Sequence, residues 1–460
     1  MKTAALFPGQ GAFDGRALLA AAERHPEIGD VFSEIDTVTA AEAGRKLSAI
    51  VLGGEPATMD GLLADDPWVS QLAIYGVDVA VHRVLSGAGW RPDVLAGHSL
   101  GEIAALVCGG AYSVADGARV IWQRVQAVAG LDLRDGYMAA LSTDAVRAGQ
   151  IADLVADDSL AVAAENHPAQ TVLSGSAVAM DAVREVARAV NVSFARLAAS
   201  VPFHCPLLRP AIARFAVAVK AIPIRTPHTP VYSPIYNRYY EPGEDMGVAL
   251  AGHFVERVLF ADAVHALYAD GVRVFVECGA LETVSKLIRR NLDRAEPVVV
   301  PGLSDAGQPI DAVVSRLRGL GVLESAPVVP EGLLPGVDAQ AFAAFWAERG
   351  GAVLERIRQE FAEYGTPAPA ASPSGDLGSE LRRLYADALE YPVEVFTDDV
   401  LLEAELGIDS VKQVELLTRV SERYGLPARS GSFRLDEVAT MGKVIGYVRA
   451  ALDEHGTTGR

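Results

Sequence analysis

The chain has 460 residues, of which 50% are hydrophobic and 22% charged, with a formal net charge of −19. This length predicts two or three domains with a sizeable core. The acidic balance argues against nucleic acid as a partner, because phosphates would be repelled.

The cysteines and the N-terminal segment indicate in which cellular compartment the protein is expected. Cys108, Cys205 and Cys278 are widely spaced and fit neither a disulfide framework nor a metal cluster, which favours a reducing cytoplasm. The N-terminal apolar run breaks at Pro8 before a signal peptide could form. Because no apolar run reaches the roughly 20 residues of a membrane span, we expect no membrane association.

Short apolar runs alternate with helical patterns from residue 1 to about residue 321. The runs include "TAALF", "DVLAG", "VFVEC" and "EPVVVPGL", and this alternation predicts an α/β domain with a largely parallel sheet. Residues 136–199 have a different, βαββαβ rhythm, which predicts a small inserted subdomain with an antiparallel sheet.

The C-terminal part has a different composition. Residues 322–376 are expected to form a helical extension that ends in the linker "GTPAPAASPSGD", whose Pro, Ala, Ser and Gly could not build a core. Residues 377–455 are expected to form a separate, small, acidic helical domain.

A serine lies between two glycines where a predicted strand meets a predicted helix, in the run Gly97-His98-Ser99-Leu100-Gly101. Glycines allow a tight turn that lifts the hydroxyl out of the sheet. The backbone N–H after the serine then faces developing negative charge at the start of a helix. A purely structural turn is the alternative, because a serine nucleophile also needs a base and an oxyanion site.

Two further segments offer groups that such a nucleophile needs. The glycines of "FPGQGA" would bring the backbone N–H of Gln10 near Ser99, unless the segment is a plain turn. Arg124 lies on the apolar stripe of its predicted helix, so its guanidinium should point inward. A buried charge is costly without a partner. Arg124 therefore forms an internal salt bridge, extends to the domain edge, or binds a substrate carboxylate bidentately.

The candidate base is His204, one of nine histidines. It lies in "SVPFHCPLL", where the 136–199 segment returns to the main domain and a cleft edge is expected. A hydrogen-bonded core histidine beside Phe203 and Cys205 is the alternative.

Taken in order, these segments resemble the malonyl-CoA:acyl-carrier-protein transacylase family and the acyltransferase domains of polyketide synthases. The matching motifs, over about residues 1–305, are "FPGQGA", "AGHSLGE", an arginine 25 residues after Ser99, "ENHPAQTVLSG", "VPFH" and "VFVECGALETVSKLI". The resemblance implies an α/β-hydrolase-like core with an inserted ferredoxin-like subdomain.

The resemblance also implies roles for the candidate residues. Ser99 would carry the acyl group, and His204 would be the general base, oriented by backbone carbonyls rather than by an aspartate. The N–H groups of Gln10 and Leu100 would form the oxyanion hole. Arg124 would hold the free carboxylate of the malonyl unit.

Other positions bear on acyl selectivity. The resemblance implies that Asn166, His98 and Phe203 shape the substrate site, and "GHSLG" with the aromatic in "VPFH" is more similar to malonyl-selective members. Residues 278–280 read Cys-Gly-Ala where the family has Gly-Pro-Gly, and Leu259 stands where relatives carry Gln or Arg. These two departures leave the pocket shape open.

A second serine, Ser410, lies in "LGIDSVKQVE". Asp409 is a natural N-cap for the helix expected there, so a capped helix in a small bundle is one interpretation. The flanking pattern over about residues 377–455 resembles carrier domains of polyketide and polyunsaturated-fatty-acid synthases. This resemblance implies a four-helix bundle whose Ser410 bears 4′-phosphopantetheine, added by a phosphopantetheinyl transferase.

The sequence thus predicts an acyltransferase that moves malonyl from malonyl-CoA, through acyl-Ser99, to a carrier thiol in polyketide or fatty-acid biosynthesis. Ketosynthase or other synthase components are expected partners. The linker of about a dozen residues spans roughly 20 Å, so loading in cis is feasible alongside loading in trans. One alternative is a proofreading acyl hydrolase of the same fold, which would not need Arg124. The other is a non-catalytic carrier and docking protein.

Overall fold

The computed structural model describes residues 1–303, 309–323, 377–389, 393–402, 406, 408, 416–417, 420 and 439–456. The chain divides into two compact units, residues 1–326 and 327–460. Most of the predicted extension and linker, residues 324–376, lies outside the described residues.

The strands and helices alternate through the first unit. The strands are β1 (Lys2–Phe7), β2 (Val94–Gly97), β3 (Tyr137–Leu141), β4 (Ala161–His167), β5 (Gln170–Gly175), β6 (Phe194–Arg196), β7 (Val231–Ser233), β8 (Arg238–Tyr239), β9 (Val272–Glu277) and β10 (Val298–Val300). The helices are α1 (Gly15–Ala22), α2 (Pro26–Ala43), α3 (Leu47–Val51), α4 (Met59–Ala64), α5 (Pro67–Gly87), α6 (Gly101–Cys108), α7 (Val114–Val128), α8 (Ala145–Val155), α9 (Ala177–Ala189), α10 (Ala211–Lys220), α11 (Met246–Gly252), α12 (Phe260–Ala269), α13 (Thr283–Asn291) and α14 (Ile310–Gly319).

The main sheet has the strand order β10-β9-β1-β2-β7-β8. All neighbours are parallel except the β7–β8 edge hairpin, and Phe7 pairs with Gly97 where β1 and β2 end. The strands are buried on both faces, as expected for a parallel sheet covered by helices. Ligands of such sheets bind beyond the carboxyl ends of the strands, so the loops after β1 and β2 mark a candidate site.

The segment predicted as an insert contains a second sheet, with the order β4-β5-β3-β6 and antiparallel pairing throughout. Helices α8 and α9 pack with it around a separate apolar cluster that includes Leu141, Ile151 and Met180. Ala164 of β4 forms a parallel bridge with Val258, which connects this sheet to the segment before α12.

The edge hairpin β7–β8 was not predicted from the sequence. Its strands have three and two residues, which is too short to show a hydrophobic period. Tyr232 and Tyr239 nevertheless pair across it with ring centroids 5.0 Å apart, and this contact closes the sheet edge.

The described part of the second unit includes α15 (Leu377–Leu389) and α16 (Met441–Gly456), which share an apolar cluster containing Leu381, Phe396 and Val444. Ser410 and Asp409 lie outside the described residues. Within the described part of the chain, no helix has the length and apolar character needed to cross a bilayer, and no group of three or more His, Cys, Asp and Glu side chains could hold a metal ion.

One buried carboxyl group works against stability. Asp78, in the middle of α5, is fully buried, and neither of its oxygens has a hydrogen-bond partner among the described residues. Burial, and secondarily the nearby Glu277, raises the pKa of Asp78 well above its usual value. Asp78 is therefore protonated when folded at a pH where the unfolded chain, with a pKa of about 3.9, has lost the proton.

We expect Asp78→Asn to raise the melting temperature, with a gain that grows as the pH rises above the unfolded pKa of about 3.9. The folded protein retains a proton that the unfolded chain releases, so its stability falls with rising pH through the window above the unfolded pKa. Asparagine removes this dependence. Thermal unfolding at each pH measures the gain, with the exposed Asp153→Asn as control. A gain independent of pH would contradict the assignment.

Candidate active site

Ser99 lies on a tight turn between β2 and α6. Its backbone is in the left-handed region, with φ of 54°, as in a strand-turn-helix nucleophile turn. A Cβ at Gly97 would lie 2.1 Å from the Glu102 nitrogen, and one at Gly101 would lie 2.2 Å from the Phe7 oxygen. Only glycine fits these two positions, so the sequence pattern has a steric cause.

The loop after β1 packs against this turn. The His98 nitrogen donates to the Phe7 oxygen at 2.8 Å, and a Cβ at Gly9 would lie 2.6 Å from the His98 oxygen. The structure thus brings the loop that carries Gln10 against the residue before Ser99. Leu100 is buried and directly precedes α6.

His204 lies within hydrogen-bond reach of Ser99. The Ser99 Oγ and His204 Nε2 are 2.7 Å apart, and His204 Nδ1 is 2.7 Å from the backbone oxygen of Glu256. Because a carbonyl can only accept, Nδ1 carries the ring proton and Nε2 is left as the acceptor for the serine hydroxyl. Glu256 was not predicted from the sequence, because a residue that acts through its backbone oxygen has no side-chain signature.

His204 is almost fully buried, and its backbone is also left-handed, with φ of 60°. Burial, the largest effect, together with the positive charge of Arg124, lowers the pKa of His204 to about 3, although the hydrogen bond to the Glu256 carbonyl acts in the opposite direction. The imidazole is therefore neutral at physiological pH and able to accept a proton.

Arg124, on α7, is 3% exposed. Its guanidinium lies 3.6 Å from the ring centroid of Phe203 and donates from Nη1 to Gln71 Oε1 at 2.6 Å. Burial lowers the pKa of Arg124 to about 9. No carboxylate in the described part of the chain forms an ion pair with it, so the internal salt bridge considered from the sequence is absent there.

Gln71 contacts the candidate site through Arg124 and was not predicted from the sequence. It lies on α5 at 1% exposure, and its Nε2 has no hydrogen-bond partner among the described residues. A glutamine on a helix that is apolar on nearly all sides was the available signal, because a buried amide normally has a specific partner.

His98 and Asn166 form a separate polar contact. His98 Nε2 is 2.8 Å from Asn166 Oδ1, while Asn166 Nδ2 donates to Gln170 Oε1 at 2.9 Å. The His98 ring packs against Phe260 at 5.1 Å, and burial lowers its pKa. These contacts fix the orientation of the residue directly before the nucleophile.

A hydroxyl, a neutral imidazole and a buried guanidinium are grouped beyond the parallel sheet of an α/β protein, which makes this a candidate serine-nucleophile site. The chain belongs to the acyl transferase domain family, whose sequence profile matches residues 6–308. A second profile, described as a phosphopantetheine attachment site, matches residues 379–448. The family recognised from the motifs is therefore confirmed.

Similar sequences include complete single enzymes and parts of much longer ones. The chain is 30% identical over 307 residues to the malonyl CoA-acyl carrier protein transacylase of Bacillus subtilis, covering 65% of this chain and 93% of that protein. It is 31% identical over 328 residues to a phenolphthiocerol synthesis polyketide synthase of Mycobacterium marinum, covering 70% of this chain and 15% of the synthase. Of two other polyketide synthases it spans 6% and 11%.

Solved structures agree in fold, which confirms the α/β class. The malonyl-CoA:acyl carrier protein transacylase of Xanthomonas oryzae aligns with a TM-score of 0.62 and 30% identity, over 69% of this chain and 99% of that one. A malonyl-transacylase solved in complex with its type II polyketide synthase carrier protein aligns with a TM-score of 0.61 and 26% identity, over 69% and 100%.

We expect Ser99 to react with phenylmethylsulfonyl fluoride at a rate that stays flat from pH 8 down to about pH 5. The neutral His204 that assists the hydroxyl has a pKa of about 3, far below the usual value near 6.5. Intact-mass spectrometry follows the labelling, and Ser99→Ala shows the background. A rate that falls with a midpoint near pH 6.5 would contradict the buried, neutral imidazole.

Proposed function

We propose that this protein transfers a malonyl group from malonyl-CoA to the phosphopantetheine thiol of an acyl carrier protein, through an ester on Ser99. The named relatives that carry this activity support the proposal over the acyltransferase unit. Polyketide or fatty-acid biosynthesis is the context that the two kinds of relative favour.

The guanidinium of Arg124, which has no carboxylate partner among the described residues, is the observation that carries the malonyl assignment. A buried cation without an anion is unstable, and here the charge lies against Phe203, the residue directly before His204. A substrate with a free carboxylate supplies the missing partner, and guanidinium binds carboxylate bidentately. An enzyme that only hydrolysed acyl groups would have no use for this charge.

Acylation of Ser99 follows from the hydrogen bonds at the site. The Ser99 hydroxyl passes its proton to His204 Nε2 while Oγ bonds to the thioester carbonyl carbon. The resulting oxyanion accepts from the backbone N–H groups of Gln10 and Leu100. When the C–S bond breaks, the leaving CoA sulfur takes the proton from His204.

Transfer to the acceptor reverses these steps. The acceptor thiol passes its proton to His204 Nε2, and its sulfur bonds to the ester carbonyl. The oxyanion again rests on the Gln10 and Leu100 amides, and the C–O bond to Ser99 breaks as His204 returns the proton to Oγ. In both steps the Glu256 carbonyl accepts a hydrogen bond from His204 Nδ1–H, so only Nε2 accepts and returns the transferred proton.

The remaining site residues shape the pocket. We assign Phe203 to the support of Arg124, and His98 with Asn166 to the wall of the acyl site beside Ser99.

The acceptor is proposed to be carried on this same chain. Ser410 lies outside the described residues, and its assignment rests on the profile match over residues 379–448. A phosphopantetheine arm supplies the thiol, and a phosphopantetheinyl transferase would attach it. Carrier domains of other chains, a ketosynthase and other synthase components are further proposed partners.

The finer architecture belongs to the same proposal. We assign residues 1–321 to an acyltransferase domain with an α/β-hydrolase-like core and a ferredoxin-like insert at 136–199. Residues 322–376 would be extension and linker, and residues 377–455 a four-helix carrier bundle. The free thiols of Cys108, Cys205 and Cys278 support the proposed cytoplasmic location.

Malonyl-CoA should add one malonyl group to the Ser410→Ala variant and none to the Ser99→Ala, Ser410→Ala double variant, as seen by intact-mass spectrometry. The first variant retains the nucleophile without a carrier arm, and the second removes both serines. Adding a separate pantetheinylated carrier should then move the group to that carrier. Release of free malonate instead would favour the hydrolase alternative.

Arg124→Ala should lower kcat/KM for malonyl-CoA by on the order of 100-fold, because charge-assisted hydrogen bonds contribute about 1.5–3 kcal/mol each. Acetyl-CoA, which has no carboxylate, should be accepted as well as before or better. Arg119→Ala is the matched control, since Arg119 lies on the same helix but is exposed and paired with Asp116. Unchanged malonyl selectivity in Arg124→Ala would overturn the assignment.

A further inference from the structure

Three polar side chains meet behind the Ser99 turn. Glu102, in the first turn of α6, is fully buried, and the Tyr240 hydroxyl donates to its Oε1. His253 Nε2 lies 3.3 Å from the same Oε1 and 3.3 Å from the Tyr240 oxygen. A single carboxylate oxygen thus joins residues from three separate parts of the chain.

The chemistry of the three groups fixes the donors. A phenol beside a carboxylate donates its proton to it, so the Tyr240 oxygen and Glu102 Oε1 both remain acceptors facing His253. His253 Nε2 must therefore carry a hydrogen, which it shares between them. A buried carboxylate needs such donors, and no Lys or Arg among the described residues forms an ion pair with Glu102.

His253 also begins the turn that orients the base. It directly follows α11, and the nitrogens of Val255 and Glu256 both donate to the Gly252 oxygen, at 3.0 and 2.8 Å. The backbone oxygen of Glu256 then accepts from His204 Nδ1. Only two residues therefore lie between His253 and Glu256, whose carbonyl holds the imidazole.

The far end of this turn is fixed independently. The Val258 nitrogen donates to the Ala163 oxygen at 2.9 Å, and the Glu165 nitrogen donates to the Val258 oxygen at 2.8 Å. Phe254 packs against Phe203 with ring centroids 6.2 Å apart. Loss of the His253 contacts would therefore free one end of the turn without unfolding the domain.

We propose that His253 is a positioning residue that, through Glu102 and Tyr240, fixes the spacing between Ser99 Oγ and His204 Nε2. Glu102 belongs to the helix that begins at the nucleophile turn, and His253 belongs to the turn that holds the base. The contact between them joins the two halves of the reacting pair. The inference rests on the proposed function only in taking Ser99 and His204 as that pair.

The test compares His253→Phe, which keeps a ring but cannot donate, with His253→Gln, which keeps an N–H donor. In the full chain, His253→Phe should lower the saturating rate of malonyl-Ser99 formation by ~10- to 100-fold, the scale of a misplaced reacting group. The half-saturating malonyl-CoA concentration should stay within about twofold, because Arg124 is untouched. His253→Gln should recover most of the rate. The exposed His228→Phe is the matched control.

A second readout does not depend on the acyl donor. The rate of Ser99 sulfonylation by phenylmethylsulfonyl fluoride should fall in His253→Phe and recover in His253→Gln. If malonyl transfer is absent from the wild type, this measurement still decides the positioning role. Should His253→Phe fail to fold, Tyr240→Phe, which removes only the hydroxyl, should lower the sulfonylation rate several-fold.

Two results would overturn the inference. One is a full sulfonylation rate in the folded His253→Phe or in Tyr240→Phe. The other is a change confined to the half-saturating malonyl-CoA concentration, which would place His253 in substrate binding instead.

Discussion

The hydrogen bond from His204 Nδ1 to the Glu256 carbonyl is the constraint on which the rest of the site depends. It fixes the tautomer, so that Nε2 faces the Ser99 hydroxyl as an acceptor. A carbonyl, unlike a carboxylate, adds no negative charge that would raise the proton affinity of the ring. The hydrogen bond to this carbonyl favours the protonated ring, but burial outweighs it, so the imidazole stays neutral and Nε2 is free to accept a proton.

The three residues in this arrangement come from elements that are far apart in sequence. Ser99 comes from the end of β2, His204 from the segment after β6, and Glu256 from the turn before α12. Ser99 and His204, the proposed reacting pair, both have left-handed backbones, which residues other than glycine adopt only when the surroundings hold them there. The parallel sheet supplies a rigid edge for Ser99, and the turn that ends at Val258 supplies the Glu256 carbonyl that holds His204.

The site residues that could be predicted from the sequence are those whose sequence pattern is required by the local turn or helix. The two glycines around Ser99 are needed by the turn itself, and the apolar stripe around Arg124 follows from the helical period. Gln71 and Glu256 were missed for a different reason. Gln71 contacts Arg124, 53 positions along the chain, and Glu256 contacts His204, 52 positions away. Contacts between residues so far apart in sequence leave no spacing pattern. The β7–β8 hairpin was missed because its strands are too short for any period.

Arg124 and His204 are coupled through charge, and this coupling bears on selectivity. Burial is the main cause of the low pKa of the His204 imidazole, and the Arg124 guanidinium lowers it by a smaller amount. In the proposed reaction, the malonyl carboxylate neutralises Arg124 and removes this smaller contribution, which raises the proton affinity of His204. A thioester without a free carboxylate, such as acetyl-CoA, leaves the guanidinium uncompensated, and His204 then remains a weaker base. The same buried charge thereby disfavours the wrong acyl group in both binding and proton transfer.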